Sequence, residues 1–341
     1  MRPMERIRIG ILGAGHIAQV VHIPEWKKFN QVQVVAVCDA SIAKARWVAD
    51  KYDIPHATVD PEELFKSDEI DAIDICTPTH THKDLAISAL SAGKHVLVEK
   101  PMARTYQEAV DMKKAAHKYQ RHLMVGMNVR FRRDAITLKS FIDGRELGEV
   151  FYIKAGWLNR RDLAQTQESW FYKKDLAGGG VLMDLGIQIL DVSWWLMGNI
   201  TPKAVKAMTF HSRYNLEVED SATCFIHFEN NSVISLETSW SIFTEKDLFY
   251  CNVYGTEGSA FINPLRVFKN MHGNLINIIP SRDESSTIRY KRSYRNELKH
   301  FIDCLRQNTP LQANADESAE RLRILEAFYQ SAREGKEVYL S

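Results

Sequence analysis

The chain has few cysteines, no long uninterrupted apolar run and no block of charge of one sign, and each shortage removes a class of function. Its five cysteines, Cys38, Cys76, Cys224, Cys251 and Cys304, are odd in number, far apart and mostly set in apolar, strand-like runs. That pattern reads as reduced core thiols rather than a disulfide framework, and no spacing matches a metal-ligand motif. Lys and Arg total 44 against 43 Asp and Glu, a formal net charge of +1. With no basic block interleaved with aromatics, nucleic acid is not expected as a partner. The longest apolar stretch, Val181 to Met197, is interrupted by Asp184 and Asp191, so no membrane partner is expected. Met1-Arg2-Pro3-Met4 leads into a strand without a signal-peptide apolar region, and the expectation is a soluble cytoplasmic protein that handles small molecules.

What is present falls into two patterns, and 341 residues suffice for two cores. The first third alternates strand and helix: Ile7 to Leu12, a helix from His16, Val32 to Cys38, a helix from Ser41, Ala72 to Cys76, a helix from His82, Val96 to Glu99, a helix from Thr105, then Leu123 to Gly126. Such alternation predicts an α/β, doubly wound parallel sheet over residues 1–126. After Asn128 come a helix over Phe131 to Ile142 and strands at Val150 to Trp157, Ala204 to Phe210, Thr223 to Phe228, Val233 to Trp240 and Phe249 to Tyr254. Helices return at Tyr294 to Arg306 and Asp316 to Arg333. Residues 127–341 therefore read as an α+β domain with a large, mostly antiparallel open sheet, joined to the first without a flexible linker and around a cleft.

Gly13-Ala14-Gly15-His16-Ile17-Ala18 follows the first strand and opens a helix, the context that a dinucleotide-binding motif requires in a Rossmann domain. Gly13 allows the tight turn, Gly15 admits a pyrophosphate to the backbone, Ala18 lets helix and strand approach, and His16 and Ile17 lie at the helix end that attracts the anion. Asp39 ends the second strand where an acid bonds the adenosine ribose, and its charge repels a 2′-phosphate, so NAD is favoured over NADP. Lys44 and Arg46 nearby argue the other way, and a helix-capping role for Asp39 or Ser41 stays open. Thr77, Pro78 and His82, in the run Thr77-Pro78-Thr79-His80-Thr81-His82, reach the same sheet edge and join the cofactor candidates; helix capping and core packing are the plainer alternatives. Glu99-Lys100-Pro101 closes the strand Val96-Leu97-Val98, setting a primary amine where ligands of open α/β sheets bind. Taken alone it is a solvated lysine. Beside a dinucleotide site it points to hydride chemistry.

In the stretch from Ala177 to Asp191, Gly178-Gly179-Gly180 precedes a run in which Asp184, Gln188, Asp191 and Trp195 recur at i, i+4, i+7 and i+11. On one regular helix they share a face, opposite Leu182, Leu185, Ile189, Val192 and Leu196. Buried polar groups need partners or a cavity, so the stripe either faces a substrate cleft or forms a satisfied seam between domains.

Together, GxGxxA with its downstream acid, Thr77-Pro78, Ala92-Gly93-Lys94-His95-Val96 leading to Glu99-Lys100-Pro101, and the glycine triplet followed by Asp184, Gly186 and Asp191 resemble the Gfo/Idh/MocA family of glucose-fructose oxidoreductase and inositol dehydrogenase. The segment from Ala327 to Val338 is similar to the family's last helix and strand. The resemblance implies NAD(P)-dependent hydride transfer at a hydroxyl or carbonyl carbon of a sugar, sugar derivative or cyclitol, with Lys100 and Asp184 in the catalytic set. Four residues after the aspartate the family usually carries a proton-transferring histidine, and this chain has Gln188. A carboxamide holds a hydroxyl but does not titrate. A positioned base contributes about 10²- to 10⁴-fold, or roughly 3 to 6 kcal/mol, and Lys100 is expected to supply it while Asp184 orients. Gln188, Arg130 and Trp170 are the substrate-side candidates, with Trp157 and Phe171 as further stacking surfaces; core packing of the aromatics and a solvated arginine face are the alternatives. NAD-dependent glycoside cleavage through transient oxidation, and a non-catalytic NAD or sugar sensor, are the competing functions. Phe249 to Tyr254 carries apolar groups on both faces, and with the resemblance this implies a homodimer or homotetramer through the second sheet.

Overall fold

The computed structural model describes residues 6–161, 169–212, 215–279 and 285–340. The segment Met1 to Met4, read above as a short lead into the first strand, lies outside the described residues. The chain divides into two compact units, one of Met1–Asn128 with Lys291–Glu320 and one of Val129–Tyr290 with Arg321–Ser341.

The first unit is built on six parallel strands, β1 (Ile7–Leu12), β2 (Val32–Cys38), β3 (His56–Thr58), β4 (Ala72–Ile75), β5 (His95–Glu99) and β6 (Leu123–Gly126), in the order β3-β2-β1-β4-β5-β6. Every residue of β4 is buried, as expected for a central strand of a sheet covered on both faces; the edge strand β6 is also wholly buried, and its Val125 N–H donates to Ala313 O at 2.9 Å. The order reverses between β1 and β4, which makes the carboxyl ends of those strands the switch point where such sheets bind ligands. The helices are α1 (Ile23–Trp26), α2 (Ile42–Tyr52), α3 (Pro61–Lys66), α4 (His82–Ser91) and α5 (Tyr106–Tyr119). Ser41, Asp60 and Thr105 cap α2, α3 and α5 by accepting backbone N–H bonds. The α2 cap is thus Ser41, and Asp39 is left to other partners.

The second unit contains α6 (Arg133–Asp143), β7 (Val150–Leu158), α7 (Lys174–Ala177), α8 (Ile187–Leu196), then β8 (Pro202–Phe210), β9 (Ser221–Phe228), β10 (Val233–Ser239), β11 (Leu248–Gly255), β12 (Gly258–Ile262), β13 (Arg266–Met271) and β14 (Asn274–Ile278). Of the two long helices that follow in the chain, α9 (Ser286–Gln307) belongs from Lys291 onward to the first unit, α10 (Ala315–Glu334) is divided between the units after Glu320, and β15 (Val338–Tyr339) belongs to the second. The nine strands run β14-β13-β12-β11-β7-β10-β9-β8-β15, antiparallel except for the β7–β10 pair. Alternate residues of β9 point inward, Ala222, Cys224, Ile226 and Phe228 being buried while Thr223 and Phe225 are exposed, the period-two pattern of a sheet with one covered face. The segment Lys174–Leu196 is long and apolar enough to cross a membrane, yet 89% of its apolar 18-residue stretch is buried inside the molecule; it is a core element of this unit.

The expected single regular helix from the glycine triplet to Trp195 is interrupted. Over Leu182–Gly186 the helix widens to a π-type turn, the Ile187 N–H bonding Leu182 O, so the phase changes between Asp184 and the residues beyond Gly186. A second such turn, Ala18–His22, interrupts the helix that starts at His16.

Candidate active site

The loop after β1 is held tightly. Gly13 has φ +93°, and a Cβ there would lie 2.7 Å from Cys76 O, so only glycine allows β1 to turn against the end of β4. Its N–H donates to Cys38 O at 2.7 Å. Asp39, at the end of β2, accepts from Ala14 N–H at 2.9 Å and from Ser41 N–H at 3.0 Å, with the Lys44 amine 3.7 Å away. At Gly15 nothing lies within 4 Å of a would-be Cβ, so the space before the helix N-terminus is open to an anion. His16 is exposed there and Ile17 half-buried. The residues fit a dinucleotide: the turn, the open glycine and the acid at the ribose position are all in place.

After β4, Thr77 and Pro78 are half-buried, and the Thr81 hydroxyl ties the loop together through Thr77 Oγ1 at 2.7 Å and Pro78 O at 2.8 Å. Thr81 therefore braces the loop instead of capping α4. His80 Nδ1 is buried without a hydrogen-bond partner among the described residues. His82 is 1% exposed, and its ring nitrogens face Pro101 O at 3.0 Å and Thr77 O at 2.8 Å. The ring joins the Thr77 loop to the Lys100 loop by backbone contacts, and burial pushes its pKa down from the usual histidine value.

Glu99 ends β5 and is buried. One carboxylate oxygen accepts from Lys100 N–H at 3.0 Å; the other lies 2.9 Å from His22 Nε2. His22 is completely buried, and its Nδ1 is 2.8 Å from Asp74 Oδ2, which also accepts from Trp26 Nε1 at 2.7 Å. Burial opposes charging His22, but the carboxylate of Asp74 prevails and holds its pKa well above the usual value. The ligand atoms of His22, Asp74 and Cys76 lie within 4.8 Å of one another, a spacing that would suit a metal. Both imidazole nitrogens already face carboxylates, however, and the cluster is complete as a hydrogen-bond network.

In the second unit, Asp184 is 6% exposed and accepts on Oδ2 from Arg161 Nη2 at 2.6 Å and from Trp240 Nε1 at 3.1 Å. Arg161 N–H donates to Trp240 O at 2.8 Å, which sets both side chains beside Asp184, and the guanidinium lies 5.0 Å from the Trp240 ring and 5.4 Å from that of Phe171. Gln188 is buried, its amide N–H donating to Asp184 O at 3.1 Å. Arg130 is 1% exposed, its guanidinium forked on Asp191 through Nε–Oδ2 at 2.5 Å and Nη2–Oδ1. Arg321 reaches the same carboxylate at 3.2 Å and Asn199 Oδ1 at 2.6 Å. Asp184 and Asp191 thus both have partners within their own unit. Trp170 is half-buried, edge-on to Phe171 at 5.6 Å, and Trp157 packs edge-on to Phe249 at 5.2 Å.

The glycine triplet serves packing. A Cβ on Gly180 would lie 2.0 Å from Glu219 O and one on Gly179 2.0 Å from the Tyr329 hydroxyl. The Glu219 carboxylate accepts from Gly180 N–H and Leu182 N–H, both at 3.0 Å, and from Tyr329 O–H at 2.8 Å. It closes the amino end of the helix that carries Asp184.

Sequence reasoning missed His22, Asp74, Arg161, Glu219 and Trp240. His22 had a faint signal, a histidine on the apolar face of the GxGxxA helix. The partners of Asp184 had none, because they come from strand ends distant in sequence.

Two family models match the chain: an oxidoreductase family with an NAD-binding Rossmann fold over residues 7–127, and the C-terminal alpha/beta domain of the same family over residues 139–340. The chain belongs to the Gfo/Idh/MocA family. It is an NAD-dependent oxidoreductase of that family. Among Gfo/Idh/MocA relatives, it is 29% identical to a D-glucoside 3-dehydrogenase of Escherichia coli (strain K12), over 98% of this chain and 97% of the relative. It is also 29% identical to a scyllo-inositol 2-dehydrogenase (NAD(+)) of Bacillus subtilis (strain 168), over 98% and 96%. A solved levoglucosan dehydrogenase in complex with NADH and L-sorbose has the same fold, with a TM-score of 0.91 at 22% identity over 99% of this chain and 100% of that one.

Proposed function

We propose that the protein transfers a hydride between NAD and a hydroxyl or carbonyl carbon of a sugar, sugar derivative or cyclitol, with Lys100 as the proton-transfer group. The observation that carries the reading is the Glu99-Lys100-Pro101 turn, anchored by His22 on Glu99 and by His82 on Pro101, on the sheet edge that also bears the Gly13–Gly15 loop. Relatives named for a D-glucoside and for scyllo-inositol support the substrate class. NAD, when bound, supplies the nicotinamide carbon that accepts or returns the hydride. Lys100 takes the hydroxyl proton as the carbinol carbon becomes a carbonyl, and returns it in the reverse direction. On the second unit we read Asp184, with Arg161 and Trp240 on its carboxylate, and Gln188 as substrate-orienting groups. Trp170 offers a ring for the apolar face of a sugar, and Arg130 acts through Asp191, which it holds in α8.

The test is a panel of glucosides, inositols and aldoses offered with NAD or NADP, followed by absorbance and by product analysis. Stoichiometric NADH with a ketone or lactone product supports the reading. Glycosidic cleavage with no net NADH replaces it with transient oxidation. A sensor is the second reading, supported by Gln188, whose amide N–H is already bonded to the backbone; NADH binding with no turnover across the panel establishes it. We also read the protein as a cytoplasmic homodimer or homotetramer. The described cysteines are all free and buried, and Phe151, Met208, Phe210 and Phe225 are each more than two-fifths exposed on strands of the second sheet, apolar area suited to a second copy. Light scattering measures the assembly.

A further inference from the structure

A cavity of about 830 Å³ opens in the first unit at the amino ends of β5 and β6, where His95 and Leu123 stand. In a parallel sheet this is the edge opposite the carboxyl ends, which carry the Gly13–Gly15 loop and the Glu99-Lys100-Pro101 turn. Its size falls within the ~300 to 1,000 Å³ of small-molecule pockets. The lining comes from the end of α5, the two strand starts and the connection between α9 and α10. In that connection Asn308 has φ +52° and the fully buried Ala313 φ +51°, a region that residues with a Cβ rarely adopt. Ala313 O accepts Val125 N–H at 2.9 Å, and such backbone persists where its surroundings over-determine it, notably at ligand clamps. Leu123, Leu305 and Leu311 supply apolar surface beside the His95 and His122 rings, which stack with centroids 5.2 Å apart.

The charge of the lining is one-sided. Asp316, its one acid, already has His117 Nε2 at 2.9 Å and Lys113 Nζ at 3.4 Å. Burial lowers the proton affinity of both stacked rings, that of His95 to a pKa of about 4, and the Arg121 charge adds to the effect. At neutral pH the positive charge therefore rests on two guanidiniums. Arg121 donates from Nε to Gly93 O at 2.6 Å and from Nη1 to Gln120 O at 3.1 Å, which fixes the fork and leaves Nη2 without a partner among the described residues. Arg306, in the last turn of α9, is exposed and pairs with no acid among the described residues. We propose that this cavity binds a small organic anion, its acidic group held by Arg121 and Arg306 and its apolar body against the leucines and the imidazole pair. Guanidiniums fork on phosphate or carboxylate oxygens, and the apolar surface rewards a body that a bare inorganic anion lacks. The site shares no residue with the cofactor edge, so its occupancy is independent of the hydride chemistry.

The experiment is calorimetric titration of the whole protein with phenyl phosphate, with NADH in excess so that the cofactor edge is filled. Inorganic phosphate and benzyl alcohol are titrated in parallel. A Kd of about 0.1 to 1 mM is expected for phenyl phosphate, the affinity open to a ligand of ~11 heavy atoms, with each half-probe at least about tenfold weaker. Arg306→Gln and Arg121→Gln are each expected to weaken phenyl phosphate about tenfold, the loss of one charge-assisted hydrogen bond, with NADH affinity unchanged. Arg306 is exposed, so its replacement leaves the fold intact. No saturable binding up to about 20 mM phenyl phosphate overturns the proposal. So does binding that both substitutions leave unchanged, or inorganic phosphate binding as tightly as the phenyl ester. Failure of the cofactor reading shows separately, as absence of NADH binding, and the same titration without NADH then tests the cavity through the two arginine variants.

Discussion

Glu219 and Gly180 touch at two points: the Glu219 carboxylate accepts the Gly180 N–H at 3.0 Å, and the Glu219 carbonyl oxygen occupies the place where a Cβ on residue 180 would stand, 2.0 Å away. The helix bearing Asp184 is thereby docked by contact and by hydrogen bond at once. Gly180→Ala is expected to destabilise the protein by about 2–3 kcal/mol or more, since the clash is with backbone that cannot rotate aside. Gly179→Ala, whose clash is with the Tyr329 hydroxyl, is expected to cost less. Urea denaturation of the two variants checks the order.

Asp191 lies between the buried guanidiniums of Arg130 and Arg321. Asp191→Ala leaves two buried cations without their counter-charge and is expected to cost about 3–5 kcal/mol. Differential unfolding in guanidinium measures it, and a loss under 1 kcal/mol refutes the assignment.

His95 at the start of β5 accepts the His122 N–H on Nδ1 at 3.1 Å and stacks on the His122 ring. Burial, with the charges of His122 and Arg121 adding to it, lowers its pKa from 6.5 to about 4. The unfolded chain therefore takes up a proton that the folded protein refuses. The stability from neutral His95 is complete above about pH 6.5 and is lost as pH falls toward 4, amounting to about 3 kcal/mol at the acid end. His95→Asn, which keeps an acceptor and cannot titrate, is expected to lose distinctly less stability than the parent between pH 7 and 4.5 in denaturant titrations.

Asp39 pins Ala14, and we read it as the acid that meets the adenosine ribose. Asp39→Ser is expected to weaken NADH binding about tenfold and to narrow its advantage over NADPH, because the repelling charge has gone while Lys44 stays. Fluorescence titration with both cofactors reads the two affinities.

Lys100→Met keeps the stem of the side chain and removes the amine. Turnover is expected to fall about 10²- to 10⁴-fold with NADH affinity near that of the parent. Turnover within threefold of the parent removes Lys100 from the proton-transfer role.

Five strands of the parallel sheet were legible because they are mostly apolar and their turns carry glycine, proline and capping residues at the right places, and Ser41 and Thr105 announce their helices; β3 was not, being only His56-Ala57-Thr58 and too short and polar to show a period. The strands from Val150 to Tyr254 were legible from alternation. β13 and β14 were not, because Asn270, Asn274 and Asn277 break any apolar period. At the site, Gly13, Asp39 and Lys100 were visible as residues within local motifs. The partners of Asp184 were hidden, since Arg161 and Trp240 meet it only through the pairing of chain segments some eighty residues apart. The glycine triplet was visible, but its reason was not: Glu219 and Tyr329 come from outside the motif.

The wide turns at Ala18–His22 and Leu182–Gly186 impose a counting rule on anyone redesigning this enzyme. Each acts as one extra residue threaded into a helix, and one residue is about 100° of rotation at 3.6 per turn. A helical wheel drawn backward from Trp195 aims Asp184 at the wrong neighbours, and deleting a single residue between 182 and 186 would re-index the whole segment, swinging the carboxylate away from Arg161 while leaving composition and length almost unchanged.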